Sequence, residues 1–261
     1  MSLFLDSHND MLMSYSVNTI HGDRVGRTSV LLISLALVGC AFGTSMVVES
    51  VYEPSELLDV YYVSLGDSIT YGHDGETGIR MGHPYPCQVS DALHLEKHLN
   101  LAVSGATVSY GSGNNTVNQL FVVPSDADMV SVMIGVNDFG SNTPLGAFGD
   151  SIPDTVYGGL DYLAKGLKEK CPDAFIFFMT PFKFLSYPGQ NAAGYTLKDV
   201  ANAVEDVCEK YGLPVLDMYE DGMFSWENDP RCDGLHPTER FFERFTTKQI
   251  VDFVKRESGL F

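Results

Sequence analysis

Five short apolar runs, separated by amphipathic stretches, constrain the fold of this chain more than any other feature. They are Val60–Leu65, Leu99–Val103, Met129–Ile134, Ala174–Met179 and Leu213–Leu216. None shows the polar–apolar alternation of a half-exposed strand. Val, Ile, Phe and Leu dominate them, as in strands covered on both faces. Between the later runs, Leu197, Val200, Ala201, Val204, Val207, Cys208 and Tyr211 recur at the 3.6 spacing of a helix with one buried face. Val156, Leu160, Leu163 and Leu167 form a second such stripe, stopped by Cys171-Pro172. Thr238 is expected to cap a last helix carrying Phe242, Phe245, Ile250 and Phe253. Alternation of strand and helix predicts an α/β domain, a parallel sheet between helices with right-handed crossovers.

The polar residues that follow these runs fall where such a sheet has its ligand crevice, outside the carboxyl ends of the strands. Gly66-Asp67-Ser68-Ile69-Thr70-Tyr71-Gly72 follows the first run, Ser104-Gly105 the second, and Gly135-Val136-Asn137-Asp138 the third. Asp233-Gly234-Leu235-His236-Pro237 comes after the fifth and before the final helix. A serine at a strand end becomes a nucleophile only with a base to take its proton. His236 is the candidate base for Ser68, because imidazole titrates near neutral pH, and Asp233 can orient its ring. The Gly-x-Ser-x-Gly elbow is not matched around Ser68. Asp67 and Asp138 read as local hydrogen-bond supports. His73, Asp74 and His83 lie in the loop after the nucleophile, where they can shape a pocket. Trp226 and Tyr187 are candidates for a sugar-stacking surface. His94 and His98 stand four apart in an expected helix and read as a solvated face, since no further ligands accompany them.

In order and spacing these four blocks resemble the SGNH (GDSL-type) hydrolase family over about Asp59 to Phe261, with no departure at the catalytic positions. The resemblance implies a three-layer α/β/α flavodoxin-like sandwich with a five-stranded parallel sheet. It also implies a serine carboxylic ester hydrolase without metal or other cofactor. In that family the catalytic residues correspond to Ser68, Asp233 and His236. The oxyanion donors correspond to the Ser68 N–H, the Gly105 N–H and the Asn137 side-chain amide. Short loops without an evident lid favour a small acyl group, an acetyl or similar ester on a carbohydrate or cell-envelope glycan. Lipase, lysophospholipase and thioesterase activities occur on the same motif residues, and a surface binding protein that no longer turns over is the alternative of another class.

The first 50 residues lie outside the resemblance and divide the chain into an N-terminal segment, 1–50, and a hydrolase domain, 51–261. Ser29 to Val48 is twenty residues without a charge, preceded by Arg24 and Arg27 and followed by Glu49, Glu53, Glu56 and Asp59. That asymmetry predicts an exported, membrane-anchored protein with its catalytic part outside. Three forms of attachment or processing remain open. Leu37-Val38-Gly39-Cys40 resembles a bacterial lipoprotein signal, twenty apolar residues can serve as an uncleaved anchor, and a cleaved signal peptide is the third form. The 28 residues ahead of this segment are long for a signal, and a start at Met11 or Met13 would shorten them. A formal charge of −18 and a pI near 4.5 argue against nucleic-acid binding, and the expected partner, a small-molecule or glycan ester, is what the resemblance implies. The cysteines, Cys40, Cys87, Cys171, Cys208 and Cys232, match no zinc spacing. Disulfide pairing, including a bridge at Cys232 beside Asp233, and buried free thiols are both open.

Overall fold

The computed structural model of the chain describes residues 57–110, 113–183, 185, 186 and 189–261. The apolar segment Ser29–Val48, Cys40 and Tyr187 lie outside the described residues. Five parallel strands form one sheet in the order β2-β1-β3-β4-β5. They are β1 (Leu58–Gly66), β2 (Leu95–Asn100), β3 (Met129–Met133), β4 (Phe175–Met179) and β5 (Val215–Leu216). Helices flank the sheet in a three-layer α/β/α sandwich. Because β1 has β2 on one side and β3 on the other, the order of the strands reverses at β1. In doubly wound sheets this is where ligands bind.

β3 is buried along its whole length and β4 at all but its first residue, which is why both read as unbroken apolar runs. β2 departs from the sequence expectation of Leu99–Val103 and begins four residues earlier. As an edge strand it leaves Glu96 and Lys97 exposed, so it has no apolar run to mark it. Its register with β1 runs from Leu58↔Leu95 to Ser64↔Asn100, and the Leu101 and Val103 N–H groups still bond to the Ser64 and Gly66 carbonyls beyond its end. The helix expected around His94 and His98 is absent. His94 sits in a turn with φ 54°, and His98 lies on β2.

Nine α-helices are described: α1 (Ser68–Tyr71), α2 (Tyr85–Ala92), α3 (Thr116–Val122), α4 (Val136–Gly140), α5 (Val156–Lys170), α6 (Leu197–Tyr211), α7 (Met218–Asp221), α8 (Glu239–Phe241) and α9 (Thr247–Glu257). A π-helical turn, Phe242–Thr246, joins the last two. α6 starts at a capping box in which Thr196 and Asp199 satisfy each other's backbone N–H groups. Its stripe of Leu197, Val200, Ala201, Val204, Val207 and Cys208 is buried, and it packs against α5 through that helix's own buried leucines. Truncating Leu163 to alanine there costs about 2–5 kcal/mol by the usual cavity penalty. α2 packs with α9, and Thr238 caps α8 as the sequence suggests. Cys87, Cys171, Cys208 and Cys232 are all free thiols. No helix among the described residues is long and apolar enough to cross a membrane.

Candidate active site

β1 runs through the middle of the sheet into a turn that is held from several sides. Gly66 is the last residue of the strand, and no larger residue fits. A Cβ there would lie 2.3 Å from Thr70 Oγ1 and 2.5 Å from the Met133 carbonyl oxygen on β3. The Gln119 side chain of α3 clamps the same residue, accepting from the Gly66 N–H at 3.0 Å and donating to the Gly66 carbonyl at 2.9 Å. Asp67 then caps α1 by accepting from the Ile69 N–H at 2.9 Å. Burial pushes the Asp67 carboxyl up to about 7, although the Ile69 bond favours its charged form and nearby Asp138 opposes it. Ser68 is thereby fixed as the first residue of α1, with its hydroxyl toward the crevice.

The facing side is a loop between α7 and α8. Asp233 folds this loop on itself, its Oδ1 accepting from the Leu235 N–H at 2.9 Å and the His236 N–H at 2.6 Å. Its other oxygen, Oδ2, lies 2.7 Å from His236 Nδ1, and His236 Nε2 lies 2.9 Å from Ser68 Oγ. Partial burial raises the Asp233 carboxyl. The bonds from the His236 ring and from the His236 and Leu235 backbones outweigh that and hold it below the ordinary aspartate value. An ionised carboxylate on Nδ1 requires that nitrogen to carry the hydrogen, so the Nε2 lone pair is left to accept from Ser68. Three side chains from opposite ends of the domain thus form one relay. It can withdraw the hydroxyl proton as the oxygen attacks a carbonyl carbon.

The remaining candidates line the same edge. The Ala106 N–H donates to the Val103 carbonyl at 3.0 Å, closing a turn over Ser104 and Gly105 that leaves Gly105 exposed. Asn137, on the first turn of α4, donates one amide hydrogen to the Ala106 carbonyl at 2.9 Å and so ties the β3 end to the Gly105 turn. Its neighbour Asp138 is fully buried and accepts from the Val108 N–H, the Ser109 N–H and the Ser109 hydroxyl at 2.8, 3.2 and 2.9 Å. Burial raises its carboxyl to about 6 against those bonds. Asp67 and Asp138 are therefore local supports, as expected.

Other sequence candidates fall apart or change role. His98 stacks on Tyr62 with ring centroids 4.8 Å apart and pairs with Ser64 Oγ at 3.2 Å, and burial lowers it to about 4. It is a packed sheet residue. His83 pairs with Asp91 of α2, and Asp74 turns its own loop by accepting from the Glu76 N–H. His73 joins the site. Its ring lies 4.3 Å from that of His236, and His73, Asp233 and His236 offer ligand atoms within 4.8 Å of one another. Asp233 Oδ2 and both His236 nitrogens are already engaged in the relay. Sequence reasoning missed the Gln119 clamp and the Asp229 carboxylate, which accepts from the Thr238 N–H and hydroxyl at 2.7 and 2.8 Å and anchors the base loop to α8. Neither residue carries a local signal. A separate surface groove of about 720 Å³ between α3 and α5, lined by Phe121, Tyr162 and Lys165 among others, contains no triad residue.

The model of the GDSL-like lipase/acylhydrolase family matches residues 64–243. The chain belongs to that family. As a member of this SGNH/GDSL group it is a carboxylic ester hydrolase. Among solved structures, a protein from Lactobacillus plantarum is 27% identical, with a TM-score of 0.66 over 77% of this chain and 99% of its own. A possible lipase from Chitinophaga pinensis is 24% identical, with a TM-score of 0.65 over 78% of this chain and 100% of its own. A family two carbohydrate esterase from Clostridium thermocellum, solved with cellohexaose, is 18% identical and shares the fold at a TM-score of 0.57 over 79% of this chain and 66% of its own. No curated protein matches the sequence.

Proposed function

We propose that this GDSL-family hydrolase is a serine esterase that removes short acyl groups, acetyl above all, from a carbohydrate or cell-envelope glycan. The observation that carries the mechanism is the unbroken relay Ser68 Oγ–His236 Nε2 and His236 Nδ1–Asp233 Oδ2, at 2.9 and 2.7 Å. Ser68 Oγ attacks the ester carbonyl carbon while its proton passes to His236 Nε2. The carbonyl π pair moves onto oxygen, and the Ser68 N–H, the Gly105 N–H and the free hydrogen of the Asn137 amide receive that charge. When the oxyanion collapses, the ester C–O bond breaks and His236 gives its proton to the departing alkoxide. Water, deprotonated by the same imidazole, then attacks the acyl-serine; the acyl–Oγ bond breaks, the imidazolium returns its proton to Ser68 Oγ, and the acid is released.

A small acyl group is favoured by crevice loops that include no long apolar insertion among the described residues. The carbohydrate esterase with the same fold is a precedent for that substrate class and nothing more. Full-length protein assayed on p-nitrophenyl esters of increasing chain length, beside Ser68→Ala, tests the reading. Turnover that peaks at acetate and vanishes in the variant supports it. A peak at long chains makes the protein a lipase, and activity that survives Ser68→Ala removes the mechanism. From the sequence of residues 1–50 we also propose export and membrane anchoring. Mass analysis of extracted protein would read a diacylglyceryl adduct on Cys40, with residues 1–39 lost, as the lipoprotein form. The full chain found in the soluble cell fraction would exclude anchoring altogether.

A further inference from the structure

We propose that Trp226 is the floor of a subsite that stacks on a pyranose ring of the substrate's alcohol, so that a sugar hydroxyl is the leaving group. The proposal rests on the esterase reading and names the residue responsible for its carbohydrate preference. Trp226 is the single tryptophan of the chain. Indole is a large apolar body that folding normally buries, yet this residue is 49% exposed. It is nonetheless seated on the catalytic loop. Gly234, between Asp233 and His236, has φ +90°, and a Cβ on it would lie 3.0 Å from both Trp226 Cζ2 and Cη2 and 2.3 Å from Ser186 Oγ. The Gly234 carbonyl accepts from the Leu185 N–H at 3.0 Å, which holds the backbone where the ring edge meets it. About half of the tryptophan is left open, on the same loop as the residues that handle the proton.

The chemistry decides which part of a substrate reaches that ring. His236 protonates the departing alkoxide, so the alcohol leaves beside the loop that carries His236. The acyl carbonyl is held at the ends of β1, β2 and β3, by Ser68, Gly105 and Asn137. An aromatic plate on the Asp233–His236 loop therefore flanks the alcohol and not the acyl chain. A pyranose suits a half-exposed plate. Its C–H face covers the apolar ring while its hydroxyls stay in water. A phospholipid alcohol would bring a phosphate toward a chain of formal charge −18 and toward exposed Glu227, the next residue along.

Because the chain has one tryptophan, emission excited at the red edge of the indole band, where its tyrosines do not absorb, reports this position alone. Full-length Ser68→Ala protein titrated with mono-O-acetylated xylotriose should show a saturable shift in emission, while ethyl acetate should give none. In the Ser68 protein, Trp226→Ala should lower the ratio of kcat/KM for acetylated xylotriose to that for ethyl acetate by about tenfold, through KM, with Trp226→Phe in between. A brace that merely props up the triad would lower both substrates in parallel and leave the ratio alone, which would overturn the proposal. So would a variant that instead alters the preference between decanoate and acetate esters of one alcohol. Hydrolysis of small esters with no emission shift and no change of ratio would sink the sugar subsite and leave the esterase standing. An emission shift without hydrolysis of any ester would overturn the esterase reading and, with it, the sugar hydroxyl as leaving group.

Discussion

Ser68 and His236 share one hydrogen bond, but the chain holds them in unlike ways. The Ser68 turn grows from a buried central strand and is clamped by Gln119 from 53 residues away in sequence, with a buried carboxyl, Asp67, beneath it. The base loop is held mostly by side-chain bonds within itself, with a brace from outside at the Gly234 carbonyl, which accepts from the Leu185 N–H. Asp233 accepts from the Leu235 and His236 N–H groups of its own loop, Asp229 holds Thr238 nine residues on, and the Asp233 side chain is 42% exposed. Long-range buried contacts tie the first region to global stability, while the second rests mostly on side-chain bonds that reach no more than nine residues along the chain. The lesson is that the nucleophile is part of the core, whereas the base, its side chain 14% exposed, is oriented by a carboxylate that reaches the surface.

The sharpest way to break that contrast is on the base side. His236→Ala should lower ester turnover by about 10⁴-fold or more, and Asp233→Asn by about 10²- to 10⁴-fold. Neither should move the urea midpoint appreciably, and a large loss of stability would show that the loop is not independent of the core. Asn137→Ala comes next. Removing one oxyanion donor should reduce kcat by about 10²- to 10³-fold with little change in KM, and a pure KM effect would exclude Asn137 from the transition state. Gln119→Leu attacks the nucleophile side without touching substrate. It leaves the buried Gly66 N–H unpaired, while the Gly66 carbonyl keeps its bond from the Val103 N–H, so about 1–3 kcal/mol of stability should disappear along with activity. Retained stability with lost activity would invert the comparison.

The smallest expected effect is a pH dependence at Asp67. Its carboxyl lies at about 7 when folded against 3.8 ordinarily, because burial disfavours the charged form. Between these values the folded chain holds a proton that the unfolded chain has lost, so this group makes stability fall as pH rises through that window. In thermal and urea melts, the advantage of Asp67→Asn over the natural residue should grow by on the order of 2 kcal/mol from about pH 5 to about pH 8. An advantage constant over that range would mean that Asp67 is ionised throughout.

Legibility in the sequence followed burial. β1, β3 and β4 announced themselves because both faces are covered, and α5 and α6 because one face is. β2 did not, since an edge strand with exposed Glu96 and Lys97 has no apolar run, and His98 was read as helical for the same reason. Ser68, Asp233 and His236 could be picked out because each sits in a short block of turn residues beside a recognisable element. Gln119 could not, and His73 and Trp226 could be named as candidates without their contacts to His236 and Gly234, since no spacing in the chain encodes those pairings.

Periodicity and turn chemistry arise between near neighbours, so the sequence by itself determined which segments are strand or helix and which reactive groups stand at their ends. Whether two of those groups touch across 168 residues was decided by strand order and register. Those are set by the summed burial of many side chains, and no short stretch of sequence contains that sum.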